Sequence, residues 1–288
     1  MEPQDVRHVG VVGCGLMGAG IAEVVARVGI DVTVLETTDD LLDAGRARIE
    51  ASTARAVERG RLSEADRQAL LGRIRGEVRA TALADVDLVI EAATEDERGK
   101  LEIFRAVDAT TRPDVVVGSN TSSIPIATLG AATSRPERVV GLHFFNPPPV
   151  MGLIEVTPSI LTSDETVRFA RGFGERLGKT TVLAKDHAGF IVNRLLTPYL
   201  CDAIRLLDEG FATREDIDAS VTLGLNHPMG PLRLADLIGL DTVLQIAEVL
   251  HKEFRDPAFA PPPRLLRMVA AGQLGRKTGQ GFYTYERD

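Results

Sequence analysis

Near its N-terminus the chain places three glycines between a valine-rich run and a stretch with helical periodicity. The segment reads RHVGVVGCGLMGAGIAEVVARVGIDVTVLE, and its first apolar run, residues 7–12, ends at Gly13. Apolar residues then recur at helical spacing over 16–28, and Gly29 is a typical helix terminator. A second apolar run follows at 32–35. This strand–helix–strand unit predicts a parallel sheet with a right-handed crossover.

The glycines form the pattern Gly-x-Gly-x-x-Gly, which gains specificity because it follows a strand and opens a helix. The first glycine allows a sharp turn, the second lets a diphosphate approach the backbone, and the third lets the helix pack on the strand. Amides at the helix start would bind the diphosphate. In this context the pattern is typical of proteins that bind a dinucleotide through its diphosphate. The residues expected to contact the dinucleotide are Gly13, Gly15, Leu16, Met17 and Gly18. The alternative is that the glycines serve only the turn and its packing.

The second strand ends at Glu36, followed by two threonines. A carboxylate at this position accepts hydrogen bonds from the adenosine 2′- and 3′-hydroxyls and repels a 2′-phosphate. No arginine follows immediately, so the sequence favours NAD over NADP. A basic side chain from elsewhere in the chain could still accommodate NADP.

The rest of the chain predicts two domains. Residues 40–79 read as helix, break and helix, with Ser63 as a candidate cap of the second helix. Further strands are predicted at 87–92, 115–119 and in the segments RVVGLHF and GLIEVT, but none beyond residue 185 until the last few residues. We therefore expect an α/β, doubly wound, Rossmann-like domain over 1–185 with a helical-hairpin insertion, and an all-α domain over 186–288.

The predicted helix over 189–209 is apolar on more than one face, so much of its surface must be buried. The first domain and a second copy of the chain are the surfaces most able to bury it, which favours a homodimer formed through the helical domain. The net charge of −8 argues against nucleic acid as a partner. No run of 18 apolar residues exists to span a membrane.

The two cysteines, Cys14 and Cys201, make neither a disulfide framework nor a metal cluster. No secretory leader is recognisable at the start of the chain. We expect a cytoplasmic protein that needs no metal.

Residues 46–79 carry nine arginines against five acidic residues, a basic segment in an acidic chain. The arginines are Arg46, Arg48, Arg55, Arg59, Arg61, Arg67, Arg73, Arg75 and Arg79. A solvated helical face and a docking patch for a phosphorylated group both remain open.

The segment GLHFFNPPPVMGLIEV, residues 141–156, reads as two strands around a proline turn. An antiparallel hairpin centred on residue 149 places His143 opposite Glu155, within reach of its side chain. A carboxylate bonded to one ring nitrogen fixes the tautomer and raises the basicity of the other, which suits removal of an alcohol proton beside a nicotinamide. The alternative is a structural pair, a core histidine bonded to a buried glutamate.

The chain resembles the short-form 3-hydroxyacyl-CoA dehydrogenases, in particular the bacterial 3-hydroxybutyryl-CoA dehydrogenases, over nearly all of its 288 residues. The matching segments are GVVGCGLMGAGIA, VIEAATED, SNTSSIPI, GLHFFNPPPVM, GFIVNRLL, HPMGPLRLADLIGLD and GRKTGQGFYTY. The resemblance implies reversible, NAD-dependent oxidation of a short-chain (S)-3-hydroxyacyl-CoA, in a cleft between the two domains. Departures near Pro149 and Gly152 bear on acyl preference rather than on chemistry.

The resemblance also assigns residues. His143 matches the catalytic base and Glu155 its orienting partner, while Ser122 and Asn193 match residues that bond the reacting oxygen. By residue type alone, Ser122 would be a cap or turn serine and Asn193 an ordinary helix residue. The remaining matches are Glu95 and Lys100 on the nicotinamide ribose side, and Ser52 and Arg59 at CoA.

Three rival functions remain open. One is the same oxidation of an acyl group on a carrier protein in a biosynthetic pathway, since both substrates share a pantetheine arm. Another is a dinucleotide-binding structural or sensor protein without turnover. The third is a related 2-hydroxyacid or sugar-acid dehydrogenase with a lysine base, in which His143→Gln would leave the rate nearly intact.

Overall fold

The computed structural model describes residues 1–286, and the chain divides into two compact units, Met1–His187 and Ala188–Asp288. The N-terminal unit contains eight strands in one sheet, and the C-terminal unit is built from helices. The predicted fold class is confirmed. The division falls two residues after the predicted boundary at 185.

The strands lie in the order β3-β2-β1-β4-β5-β6-β7-β8, and the pair β6 and β7 is antiparallel while the other neighbours are parallel. Loops that follow parallel strands emerge at the carboxyl edge of a sheet, which is where doubly wound folds bind ligands. The strands are β1 (His8–Val12), β2 (Asp31–Leu35), β3 (Ile74–Glu77), β4 (Leu88–Glu91), β5 (Val116–Ser119), β6 (Val139–Phe144), β7 (Leu153–Thr157) and β8 (Thr180–Leu183).

Helices cover both faces of this sheet. One core cluster joins the strands to α1, α2, α3 and α6, and a second joins them to α4 and α5. Neighbouring residues of β4 alternate between the two clusters, as expected for a strand that is buried on both faces. The helices are α1 (Leu16–Arg27), α2 (Asp39–Glu58), α3 (Glu64–Leu71), α4 (Glu97–Thr110), α5 (Ile126–Gly130) and α6 (Asp164–Arg176).

The predicted helical hairpin is present but shorter than expected. The side chain of Ser63 caps α3 by accepting a hydrogen bond from the amide of Asp66, as predicted. The helix ends at Leu71, however, and residues 74–77 form strand β3, so the helical prediction for the end of the 40–79 segment is wrong. This strand contains one apolar residue, Ile74, and lies at an edge of the sheet, where the hydrophobic pattern is weakest.

The C-terminal unit consists of α7 (Val192–Asp208), α8 (Arg214–Gly224), α9 (Pro231–Ile238), α10 (Leu240–Phe254) and α11 (Pro263–Ala270). The side chain of Thr213 caps α8 by accepting a hydrogen bond from the amide of Asp216. The apolar run DLIGLDTVLQIAEVLHKEF forms two helices rather than one, because Gly239, with a φ of 102°, ends α9. Within residues 1–286, no helix has both the length and the apolarity that crossing a membrane requires.

Two buried aspartates connect the C-terminal segment to these helices. Asp236 accepts hydrogen bonds from the amides of Phe282 and Tyr283 and from the hydroxyl of Tyr285, at 2.9 to 3.0 Å. Asp218 accepts one from the hydroxyl of Tyr283, also at 2.9 Å. The last turns of the chain are therefore held by carboxylates rather than by apolar packing alone.

Candidate active site

The glycine loop lies between β1 and α1, and its first and third glycines are required by the protein itself. Gly13 has a φ of 91°, and a Cβ there would lie 2.8 Å from the Cα of Ala93. A Cβ at Gly18 would overlap the carbonyl oxygen of Gly13. A Cβ at Gly15, in contrast, would meet nothing within 4 Å. Internal packing does not require a glycine there, whereas close approach of a diphosphate to the backbone does.

The start of α1 fits the same ligand. Leu16, its first residue, is 63% exposed although it is apolar, and no acidic residue lies in the first turn of the helix. Unpaired amides and the positive end of the helix macrodipole at this position attract a diphosphate. The residues of the loop therefore fit a dinucleotide, with Leu16 and Met17 at the helix start.

Glu36 lies at the end of β2, beside the glycine loop. Its Oε1 accepts a hydrogen bond from the amide of Cys14 at 2.5 Å, and its Oε2 accepts one from the amide of Thr37 at 3.2 Å. A carboxylate has about four lone-pair positions, so acceptor capacity remains for ribose hydroxyls. The bond to Cys14 also fixes the carboxylate against the loop that would carry the diphosphate.

Cys14 contributes packing rather than thiol chemistry. It is 2% exposed, and a Cβ at Gly45 of α2 would overlap its Sγ. Burial, with a smaller contribution from the nearby Glu36, raises the pKa of the thiol to about 11. The thiol is therefore protonated near neutral pH, and the glycine loop is seated directly against α2.

The hairpin of β6 and β7 brings His143 and Glu155 together, and their backbones are paired in the register that the spacing predicts. The Nδ1 of His143 lies 2.7 Å from Oε2 of Glu155. His143 is 6% exposed and Glu155 is fully buried. The ring of Phe145 packs edge-on against the imidazole, with 4.7 Å between ring centroids. The pair is thus held rigidly, and the carboxylate sets the orientation of the ring.

Ser122 lies in the loop after β5, which we call the serine loop (residues 120–123). The Oε1 of Glu95 accepts hydrogen bonds from the amide of Ser122 at 3.0 Å and from the hydroxyl of Thr121 at 2.6 Å. It also accepts from the amide and the hydroxyl of Ser123. Glu95 therefore shapes the serine loop from the neighbouring strand end.

The charge of Glu95 is stabilised by its surroundings. Burial is the largest single influence and by itself raises the pKa, but the charge of Lys100 and the hydrogen bonds from the serine loop outweigh it, so the net pKa is lowered. Glu95 is consequently ionised at neutral pH and acts as a hydrogen-bond acceptor.

Lys100, expected beside the nicotinamide ribose, is buried in the protein, with 1% of its surface exposed. Its ammonium lies 2.5 Å from Oε1 of Glu91, 3.4 Å from Oε2 of Glu95 and 3.3 Å from the carbonyl oxygen of Ala93. The ammonium thus connects the two carboxylates that flank the loop after β4.

Sequence reasoning missed Glu91 and Asn120. Glu91 is the last residue of β4 and is fully buried. The Oδ1 of Asn120 accepts a hydrogen bond from the amide of Phe144 at 2.9 Å, which ties the serine loop to the strand of His143. The available signal for Glu91 was a carboxylate closing the apolar strand LVIE, where burial demands a partner.

The structure places Asn193 in the first turn of α7, in the C-terminal unit. Ser52 lies within α2, and Arg59 is the residue at which that helix ends. Ser52 is partly exposed and Arg59 is exposed. The two lie seven residues apart, about two helical turns, and therefore share one side of the helix.

In the described part of the chain, no group of three or more His, Cys, Asp or Glu side chains is arranged to hold a metal ion. The polar groups at the carboxyl edge of the sheet are instead a histidine–glutamate pair, a loop of hydroxyl residues and a glycine loop. This set suits a dinucleotide and proton transfer.

Two family models cover almost the whole chain. Residues 8–187 match the 3-hydroxyacyl-CoA dehydrogenase, NAD binding domain, and residues 189–285 match the 3-hydroxyacyl-CoA dehydrogenase, C-terminal domain. The chain is 52% identical to a 3-hydroxybutyryl-CoA dehydrogenase of Mycobacterium tuberculosis over 282 residues, which are 97% of this chain and 99% of the relative.

Solved structures agree. The crystal structure of FadB2 from M. tuberculosis superposes with a TM-score of 0.96 at 52% identity, covering 98% of this chain and 99% of the other. That of (S)-3-hydroxybutyryl-CoA dehydrogenase PaaH1 from Ralstonia eutropha gives 0.92 at 45% identity, covering 98% and 100%. The chain belongs to the 3-hydroxyacyl-CoA dehydrogenase family, and its cofactor is NAD.

Proposed function

We propose that this dehydrogenase catalyses the reversible oxidation of an (S)-3-hydroxyacyl-CoA, in particular 3-hydroxybutyryl-CoA, to the 3-oxoacyl-CoA. The observation that carries the proposal is the 2.7 Å contact between His143 and Glu155, whose side chains are buried on two paired strands. The substrate class is supported by the relatives named 3-hydroxybutyryl-CoA dehydrogenase.

His143 is the base of the oxidation. Its Nδ1 is engaged with Glu155, so Nε2 is the nitrogen that takes the proton of the C3 hydroxyl. NAD, which the glycine loop and Glu36 would hold, would supply the hydride acceptor that the oxidation at C3 requires. Glu155 stabilises the imidazolium that results. In the reverse reaction, the reduction, this His143 imidazolium returns the proton to the C3 oxygen.

Ser122 and Asn193 bond the oxygen at C3. Each donor of this kind contributes about 3 kcal/mol where it is stronger in the transition state than in the ground state. The rigid attachment of the serine loop to Glu95 supports this role for Ser122, because a donor held in place needs no reorganisation during the reaction.

The side of α2 that carries Ser52 and Arg59 is the proposed dock for CoA phosphates. Residues 48, 52, 55 and 59 recur at spacings of four, three and four, so three arginines and a serine form one stripe along the helix. The helix carries its acidic residues, such as Asp43 and Glu50, on other sides. A stripe that is rich in arginine and poor in acidic residues is better explained as a site for a phosphorylated ligand than as a solvated helical face of mixed charge.

The same oxidation on a carrier-protein-bound acyl group is the second candidate. A pantetheine arm is common to both substrates. Gly152, in the loop between β6 and β7, has open space beside it, with nothing within 4 Å of a Cβ built there. That space supports some tolerance in the acyl group.

We also propose a cytoplasmic homodimer that assembles through the C-terminal unit. Four apolar side chains of that unit are exposed by 63 to 83%: Leu195, Phe211, Leu223 and Leu225. Side chains of this kind become buried in subunit interfaces. Both cysteines are free thiols, which suits a reducing compartment.

Steady-state kinetics test the proposal. We expect acetoacetyl-CoA to oxidise NADH with saturation, with NADPH much weaker, and with kcat/KM falling along a series of longer 3-oxoacyl-CoAs. An acetoacetyl carrier protein is assayed in parallel, and a kcat/KM above that for the CoA ester would favour the second candidate. NADH binding without turnover of either substrate would refute the dehydrogenase mechanism.

A further inference from the structure

The carboxyl ends of β4 and β5 are joined by a closed ring of polar contacts. Glu91 and Ser119 are the last residues of the two strands and are opposite each other in the sheet. Oγ of Ser119 donates to Oε2 of Glu91 at 2.6 Å and accepts from the amide of Thr121 at 3.2 Å. Thr121 and Ser122 donate to Glu95, which contacts Lys100, and Lys100 returns to Glu91. We call this set the strand-end ring.

Glu91 is the member on which the ring depends. It is fully buried, and it is engaged by Lys100 and by the amide of Ala93 on Oε1 and by Ser119 on Oε2. A carboxylate without solvent is tolerated when it is paired and hydrogen-bonded in this way. Because one oxygen holds the loop after β4 and the other holds the end of β5, Glu91 sets the relative position of the two.

That position matters because both loops meet proposed reactive groups. Ala93 packs against Gly13, since a Cβ on that glycine would meet the Ala93 backbone. The serine loop carries Ser122, and its Asn120 is bonded to the backbone of Phe144, next to His143. A shift of either loop therefore changes the distance between the cofactor loop, Ser122 and the base.

We propose that Glu91 is a positioning residue of the dehydrogenase reaction, which acts through Ser119 and Lys100 to hold the serine loop where Ser122 can bond the reacting oxygen. The inference rests on the proposed function, because it takes Ser122 as the group that contacts the substrate. Glu91 is fully buried, so it acts through its neighbours rather than by contact with a ligand. Lys100, whose ammonium is also buried, belongs to the same strand-end ring.

A double-mutant cycle tests this. Glu91→Gln should lower kcat by about 10- to 100-fold, since a displacement of about 1 Å at a reacting group has an effect of that size. KM for acetoacetyl-CoA should change by less than about threefold, because the proposed CoA contacts lie on α2. In a Ser122→Ala background, Glu91→Gln should lower kcat by less than about twofold, because the group that it positions is already gone.

A structural role without positioning predicts a different result. The losses from Glu91→Gln and Ser122→Ala would then multiply, and this outcome overturns the proposal, as does a kcat of Glu91→Gln equal to that of wild type. If Glu91→Gln does not fold, Ser119→Ala replaces it in the double-mutant cycle, because this substitution removes the hydrogen bond from Ser119 to Glu91. It should show the same coupling to Ser122→Ala with a smaller loss.

Glu23 is a matched control. It is buried in α1 of the same unit and pairs with Arg27 at 2.7 Å, outside the ring. Glu23→Gln should lower the melting temperature and leave kcat and KM unchanged. An inactive wild-type enzyme would refute the proposed function. An active wild type in which the kcat losses of Glu91→Gln and Ser122→Ala multiply would refute only the positioning role.

Discussion

Two carboxylate clusters, one in each unit of this protein, are stabilised by different means. In the N-terminal unit, Glu91 and Glu95 share the ammonium of Lys100. In the C-terminal unit, the hydrogen bonds to Asp236 come from neutral donors, two backbone amides and the hydroxyl of Tyr285. A shared cation stabilises the ionised state directly, whereas neutral donors compensate only part of the loss of water.

The difference appears in the pKa values. The pKa of Glu95 is lowered, because the charge of Lys100 and the hydrogen bonds outweigh the effect of burial. The pKa of Asp236 is raised, because burial outweighs its hydrogen bonds. The ionic network thus lies beside the proposed reactive groups, where fixed charge and geometry serve catalysis, and the neutral one lies where the chain end is attached to helices.

The largest expected effect tests whether the N-terminal polar groups serve chemistry. His143→Gln should lower kcat by about 10²- to 10⁴-fold, the usual contribution of a general base, while the melting temperature changes little. Stopped-flow and steady-state NADH oxidation with acetoacetyl-CoA measure this. A rate near that of wild type would instead favour a base other than His143, such as a lysine.

A change in the C-terminal network should act on stability instead. Asp236→Ala leaves the buried amides of Phe282 and Tyr283 without their acceptor, and we expect a loss of about 3 kcal/mol in the free energy of unfolding. Urea titration followed by circular dichroism measures this loss. The kcat of the folded fraction should stay within about threefold of wild type. A large fall in kcat without a loss of stability would contradict the contrast between the units.

Lowering the pH should change the stability contributions of the two networks in opposite directions. Because the folded pKa of Glu95 is lowered from 4.5, its contribution is present above pH 4.5 and is lost as the pH falls through the folded value. Because the folded pKa of Asp236 is raised from 3.8, its contribution is fully present below pH 3.8 and is lost as the pH rises through the folded value.

The melting temperatures of Glu95→Gln and Asp236→Asn, measured between pH 7 and pH 3.5, test these signs. The difference between wild type and Glu95→Gln should shrink as the pH falls below 4.5. The difference between wild type and Asp236→Asn should grow over the lower part of the same range. Two differences that move in the same direction would remove the distinction between ionic and neutral burial.

The smallest effect concerns one neutral donor. Tyr285→Phe removes the hydroxyl that lies 3.0 Å from Oδ2 of Asp236, while both backbone donors stay. We expect a loss of about 1 kcal/mol in the free energy of unfolding, by the same urea titration. A loss as large as that of Asp236→Ala would mean that the tyrosine hydroxyl, rather than the backbone amides, carries the network.

Local patterns predicted much of the fold because each was strong by itself. The glycine loop, the central strands and the cap at Ser63 depend on neighbouring residues only, and the structure confirms them. The two strands that were missed, β3 and β8, are the two edges of the sheet. Edge strands are short and half exposed, so they lack the continuous apolar run that marks a buried strand.

The site divides in the same way. The pairing of His143 with Glu155 follows from the spacing within one hairpin, so it could be predicted from the sequence. Ser119 and Glu91 are 28 residues apart, and only the order of strands in the sheet brings them together. The buried position of Lys100 likewise depends on how α4 packs, which no short spacing encodes.

The contact between Gly45 and the thiol of Cys14 connects a position inside the nucleotide loop with one that lies far from it in the chain. A side chain at position 45 would force α2 and the loop apart unless residue 14 became smaller than cysteine. A bulkier residue at position 14 has no such compensation, because residue 45 is already a glycine. Substitution of Gly45 should therefore be tolerated only together with a smaller residue at position 14. The helix proposed to receive CoA and the turn proposed to receive the dinucleotide would then be constrained by the same contact.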